Sequence, residues 1–108
     1  IQIRDSEVVE TKADRTPIGG RTEPDFEFTT NVITAKEGDE FYIYSDGYAD
    51  QFGGPKGKKF MVGNFKNLLR EISGMTPEKK EKILKERLYA WQGDLERVDD
   101  VLVIGFRV

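Results

Sequence analysis

The chain has 108 residues, 37% of them apolar and 34% charged, with a net charge of −3, the proportions of a single globular domain and not of a disordered or fibrous chain. It contains no Cys and no His, which removes disulfide frameworks, thiolate zinc sites, cysteine nucleophiles and the usual imidazole proton shuttle. The acidic balance gives no electrostatic ground for binding nucleic acid, and the longest apolar runs, residues 41–44 and 101–104, fall far short of the roughly 20 residues of a membrane-crossing helix.

The first residues, Ile1-Gln2-Ile3-Arg4-Asp5, lack the basic-then-apolar pattern of a signal peptide. They read as a hairpin, residues 2–4 and 7–11 around Asp5-Ser6, and a chain that starts directly in a strand suggests further sequence upstream. A loop marked by Pro17, Gly19, Gly20 and Pro24 follows. Phe26, Phe28, Val32 and Ile33 then make a second extended stretch, ending at the turn Lys36-Glu37-Gly38-Asp39. Residues 40–44, dense in aromatic and β-branched side chains, predict a short strand that stops at Ser45-Asp46-Gly47.

After a Gly- and Lys-rich loop at residues 53–59, the spacing predicts two helices. In the first, Asn64 is the expected N-cap, Phe65, Leu68, Leu69 and Ile72 share a face, and Gly74 ends the helix. In the second, Thr76 caps, Pro77 takes the first helical position, Ile83, Leu84, Leu88 and Trp91 form the apolar stripe, and Gly93 closes it. Glu78 with Lys82 and Glu81 with Lys85 are expected ion pairs on its solvated face. Residues 101–108 are an almost unbroken apolar run of strand length, of the kind normally covered on both faces. Strands, two helices and a returning strand give an α+β class: an antiparallel sheet, or half of a sandwich, with two flanking helices and no second domain.

Asp46 stands where the strand of residues 40–44 runs out, and Asp99 and Asp100 stand just before the last one. If these strands are antiparallel neighbours, the acids meet at one end of the sheet, where carboxylates projecting from fixed strand ends suit a metal. Carboxylates held close stay ionised together only if cations offset them, and with no Cys or His the ions would be hard ones, Mn²⁺ or Mg²⁺. A plainer account remains open: Asp-Gly is a common turn dipeptide, and Asp99-Asp100 a polar start to a strand. Rival motifs fail on the letters. Tyr48 sits where a dehalogenase-type nucleophile pair needs its second Asp, Phe52 and Lys59 break the P-loop pattern around Gly57-Lys58, an EF-hand lacks its alternate ligands, and Ser45 has no His to activate it.

The string Gly38-Asp39-Glu40-Phe41-Tyr42-Ile43-Tyr44-Ser45-Asp46-Gly47-Tyr48-Ala49-Asp50 resembles the "GD, apolar strand, (S/T)DG" element of SpoIIE/RsbU-type serine phosphatases in the metal-dependent PPM family, and Arg97-Val98-Asp99-Asp100-Val101-Leu102-Val103-Ile104 is similar to their closing "DD, apolar strand" element. Residues 13–20, with Pro17-Ile18-Gly19, resemble the family's "PIG" loop, and residues 50–60 are like an insert found in a subgroup behind bacterial sensor modules. Order and separation match over nearly the whole chain. The resemblance implies that Asp46 and Asp99 are metal ligands, and that Asp100 orients water or a neighbouring ligand. Leu102 stands where many relatives have Thr.

The mechanism implied is phosphomonoester hydrolysis by water activated at a pair of Mn²⁺ or Mg²⁺ ions, with no covalent enzyme intermediate. By the same resemblance the substrate is a phosphorylated regulatory protein of the anti-sigma-factor-antagonist type, with a sensor domain upstream and a cytoplasmic site of action. The family's earlier half carries another "DG" element, and none precedes Ile1. Residues 1–108 are therefore expected to be the C-terminal part of one PPM-type domain, with weak metal binding and little turnover alone. Lys56, Lys58, Lys59 and Phe52 are candidate contacts for substrate or partner, though Lys-rich loops are more often simply solvated; Trp91 reads as core. The competing readings are a non-catalytic phosphatase-like binding or dimerisation module, and a truncated sandwich whose strand edges pair with a second copy.

Overall fold

The computed structural model describes residues 1–11, 32–97 and 99–108. The expected "PIG" loop and the strand positions Phe26 and Phe28 lie outside the described residues. Strands β1 (Gln2–Arg4) and β2 (Glu7–Val9) form the expected hairpin, with β2 ending two residues early. Its turn, Asp5-Ser6, has φ of 49° and 65°, the double left-handed geometry whose twist matches that of the flanking strands. Strand β3 (Glu40–Tyr44) pairs with β1 on one side, and along its whole length with β6 (Val103–Arg107) on the other. The sheet order is β2-β1-β3-β6, antiparallel throughout. Between β3 and β6 lie β4 (Phe52–Gly53), β5 (Lys58–Lys59), α1 (Val62–Ile72) and α2 (Pro77–Gln92).

Both helices help cover one face of this sheet. Ile3 and Tyr42 from the strands meet Phe65, Leu68, Leu69 and Ile72 of α1 and Leu88 of α2 in one cluster. Each such side chain contributes about 1.5–3 kcal/mol on burial. Gly105 of β6 makes room for the Tyr42 ring, since a Cβ there would stand 2.7 Å from it. The stripe on α2 is weaker than its spacing predicts: Leu88 is buried, whereas Ile83, Leu84 and Trp91 are half-buried.

The helix ends differ in legibility. Thr76 caps α2 as expected, its hydroxyl accepting from Lys79 N at 3.3 Å, with Pro77 first in the helix and Gly93 at its end. Helix α1 begins two residues before Asn64, after Met61 at φ 79°, with no side-chain cap; Asn64 instead donates to Phe60 O at 2.6 Å. On the solvated face of α2, Lys85 pairs with Glu81 at 2.8 Å as expected, whereas Lys82 approaches Glu86 at 3.9 Å and not Glu78.

Glu40, 3% exposed, points its carboxylate at the α1–α2 junction, where it accepts from the Tyr42 hydroxyl (3.1 Å), the Ser73 hydroxyl (2.6 Å) and Gly74 N (2.9 Å) and pairs with Lys80. A buried charge is tolerable only when so fully met. The last strand, expected to be covered on both faces, is covered on one: Leu102, Ile104, Phe106 and Val108 are about half exposed. Phe41 stacks on Phe106 at 5.3 Å on that open face, and Ile43 lies beside Ile104. Among the described residues no helix is long and apolar enough to cross a membrane.

Candidate metal centre

The antiparallel pairing of β3 with β6 brings Asp46 and the Asp99-Asp100 pair to the same end of the sheet. Ser45 fastens the two segments: its N donates to Leu102 O (2.9 Å), its hydroxyl donates to Asp100 O (3.0 Å) and accepts from Leu102 N (2.9 Å). Gly47 is buried against the same backbone, and a Cβ on it would collide with the Asp100 carbonyl. Only glycine lets the Asp46-Gly47 turn lie flat on Asp100-Val101. Asp50 N then donates to Asp46 O at 2.9 Å and closes the turn. Asp99 Oδ1 accepts from Asp100 N at 2.8 Å.

The Asp46, Asp99 and Asp100 side chains are exposed, and among the described residues no Lys or Arg pairs with them. Hard, anionic oxygens left without a protein cation suit Mn²⁺ or Mg²⁺. Their number does not complete a site: among the described residues no three acidic side chains gather closely enough to hold an ion. The donors fit such a cation in kind. By contrast Asp39, in the "GD" element, is structural. Its carboxylate takes Arg4 Nε at 2.9 Å and Nη2 at 2.7 Å, Lys36 N at 2.8 Å and Gln2 Nε2 at 2.9 Å, and the Arg4 guanidinium beside it holds it well below the usual carboxylate range.

Next to the carboxylates sits a small hairpin that the sequence presents only as a loop. Strands β4 and β5 pair Phe52 with Lys59 and Gly53 with Lys58, leaving Lys56 near the tip. Lys59 is engaged, lying 3.7 Å from Asp50 and 5.8 Å from the centre of the Phe52 ring. Lys56 and Lys58 are exposed and have no ion-pair partner among the described residues. Phe52 is partly exposed, at 38%. Tyr48 is core: its hydroxyl donates to Leu84 O at 2.6 Å, and burial pushes its pKa up to about 12.

Gln51 belongs to this region too, although nothing in its sequence spacing signals it. Fully buried, it donates through Nε2 to Phe52 O (3.0 Å) and to Glu96 O (2.9 Å), three residues before Asp99. A cavity of about 480 Å³ opens elsewhere, between α2 and the inner face of β3 and β6, lined by Tyr42, Leu84, Leu88 and Val103 among others.

A family model described as Stage II sporulation protein E matches residues 1–108. The chain belongs to the SpoIIE family. Among solved structures, this SpoIIE chain is similar to the SiaA-PP2C domain of Pseudomonas aeruginosa, with a TM-score of 0.74 and 26% identity over 78% of the chain. The match covers 34% of that structure, so the SpoIIE chain spans about a third of its length. No curated protein matches the chain. The antiparallel sheet and two helices are thus the α+β arrangement of part of a PP2C-type phosphatase fold.

Proposed function

We propose that residues 1–108 form the C-terminal part of a PPM-type domain that hydrolyses phosphoserine or phosphothreonine on a signalling protein. The observation that carries this reading is the seating of Asp46-Gly47 on Asp100-Val101, inside a chain that the SpoIIE family matches end to end. Asp46 and Asp99 each offer carboxylate oxygens to metal from the end of a fixed strand. Asp100 orients water or a neighbouring ligand from its place beside Asp99. Ser45 and Gly47 hold the two segments in register. When bound, Mn²⁺ or Mg²⁺ supplies acidity to water and charge to offset that on the phosphoryl oxygens. No side chain here needs to act as a nucleophile, in keeping with a chain that has neither Cys nor His.

The substrate we assign is a phosphorylated regulatory protein of the anti-sigma-factor-antagonist type, acted on in a bacterial cytoplasm under control of an upstream sensor domain. The test is phosphate release from a phosphoserine protein by the intact protein during Mn²⁺ titration. Asp46→Asn and Asp99→Asn are each expected to lower turnover at least about 100-fold and to weaken Mn²⁺ binding in calorimetry, with about the same Tm in the absence of metal. Full activity in both variants would remove these residues from the site. No release by the folded, Mn²⁺-loaded wild type would leave the other reading, a non-catalytic phosphatase-like module.

A further inference from the structure

We infer that the β4–β5 hairpin is a docking arm for acidic residues flanking the phosphorylated residue of a protein substrate, an inference that rests on the phosphatase reading above. Residues 53–59 carry three Lys and no acid in a chain whose net charge is −3, so this segment is a local positive island. Lys59 is already held by Asp50 and the Phe52 ring, which leaves Lys56 and Lys58 as the charges open to a partner.

The arm is mounted on its neighbours at several points. Gly54 N donates to Trp91 O at 2.9 Å, and the Trp91 indole N–H donates to Gln51 O at 2.8 Å. A Cβ on Gly53 would strike the Trp91 carbonyl, and one on Gly54 would stand 2.6 Å from the indole ring, so both glycines are needed for this close seating on α2. Phe60 N donates to Gln51 O (3.0 Å) and Met61 N to Ala49 O (2.8 Å), closing the hairpin's base.

That base is tied to both sides of the carboxylate site. Asp50 bonds back to Asp46 through the backbone, and the Gln51 amide reaches Glu96, just ahead of Asp99. The base of the hairpin therefore keeps a fixed offset from the carboxylates, whereas a solvated loop would not need such anchoring. On this reading, acidic residues beside a phosphoserine held at Asp46 and Asp99 are the groups that Lys56 and Lys58 would meet. Rim charges of this kind select partners and speed encounter more than they add affinity, and they weaken with salt.

Binding of fluorescein-labelled phosphoserine peptides to the intact protein, followed by anisotropy, tests this. One peptide carries Asp and Glu around the phosphoserine and the other Ser and Gly. The acidic peptide is expected to bind about tenfold more tightly at low salt, and this preference should vanish in K56E/K58E and shrink in K56A/K58A. Equal binding of the two peptides, or a preference untouched by both double variants, overturns the inference. So does loss of binding to phosphatidylserine vesicles in the variants with peptide preference intact, which would make the arm a lipid contact. Phosphate release measured in parallel reads the phosphatase assignment separately, because peptide preference does not require turnover.

Discussion

Gly47 occupies a space in which there is no room for a side chain, because the carbonyl it faces belongs to the segment that carries Asp99 and Asp100. Gly47→Ala must therefore move backbone, not a flexible side chain. The expected cost is about 1–3 kcal/mol, seen as a lower Tm, together with weaker Mn²⁺ binding in the intact protein; an unchanged Tm and affinity would show that the two segments are not held by this contact. Asp39 makes a different kind of prediction. Its pKa is lowered in the folded state, chiefly by hydrogen bonds from Arg4, then from Lys36 N. A lowered carboxylate pKa adds stability above its ordinary value of 3.8, and that stability is lost as pH falls toward the folded value. Wild type should thus lose Tm below about pH 4, and Asp39→Asn should start lower at neutral pH and show a flatter acid limb. Equal slopes in thermal melts across that range would assign acid sensitivity to other groups.

At the scale of elements, the legible pieces were those with local signals. The Asp5-Ser6 turn, the aromatic strand β3 and the Thr76-Pro77 start of α2 are written in adjacent residues, and the structure has them where the sequence puts them. Thr76→Ala should lower stability by about 1 kcal/mol, with little change in the m-value of urea unfolding; a loss under about 0.3 kcal/mol would mean that Glu40 and Lys80 hold that helix end without the cap. The start of α1 was illegible because Met61 takes a left-handed φ and is fixed by a bond to Ala49 O, a tertiary contact no spacing encodes. The β4–β5 pair was illegible for the same reason, being two residues to a strand and braced by Trp91 forty residues away. For the carboxylates, strand order alone sufficed to bring Asp46 and Asp99 to one end, whereas the Gln51 tie depends on a side chain crossing to Glu96.

For the whole molecule, the unbroken apolar run of β6 signals two apolar faces but does not say that this chain covers both. Phe41, Ile43, Ile104 and Phe106 form an open apolar surface on the side away from the helices. A second sheet layered there would complete the sandwich that the PPM resemblance implies. The 108-residue chain studied alone is accordingly expected to self-associate at micromolar concentrations and to bind the dye ANS, and Ile43→Lys with Ile104→Lys should reduce both. A monomeric, dye-silent wild-type chain in sedimentation and fluorescence would show that the face is not sticky. Glu40 bears on the molecule's integrity in another way. Because the Glu40 carboxylate on β3 receives the Ser73 hydroxyl, the Gly74 amide and the Lys80 ammonium, prising the helical pair off the sheet breaks all three contacts at once. One acid thus rivets helices to sheet, and the junction between α1 and α2 cannot lift away without giving up that rivet.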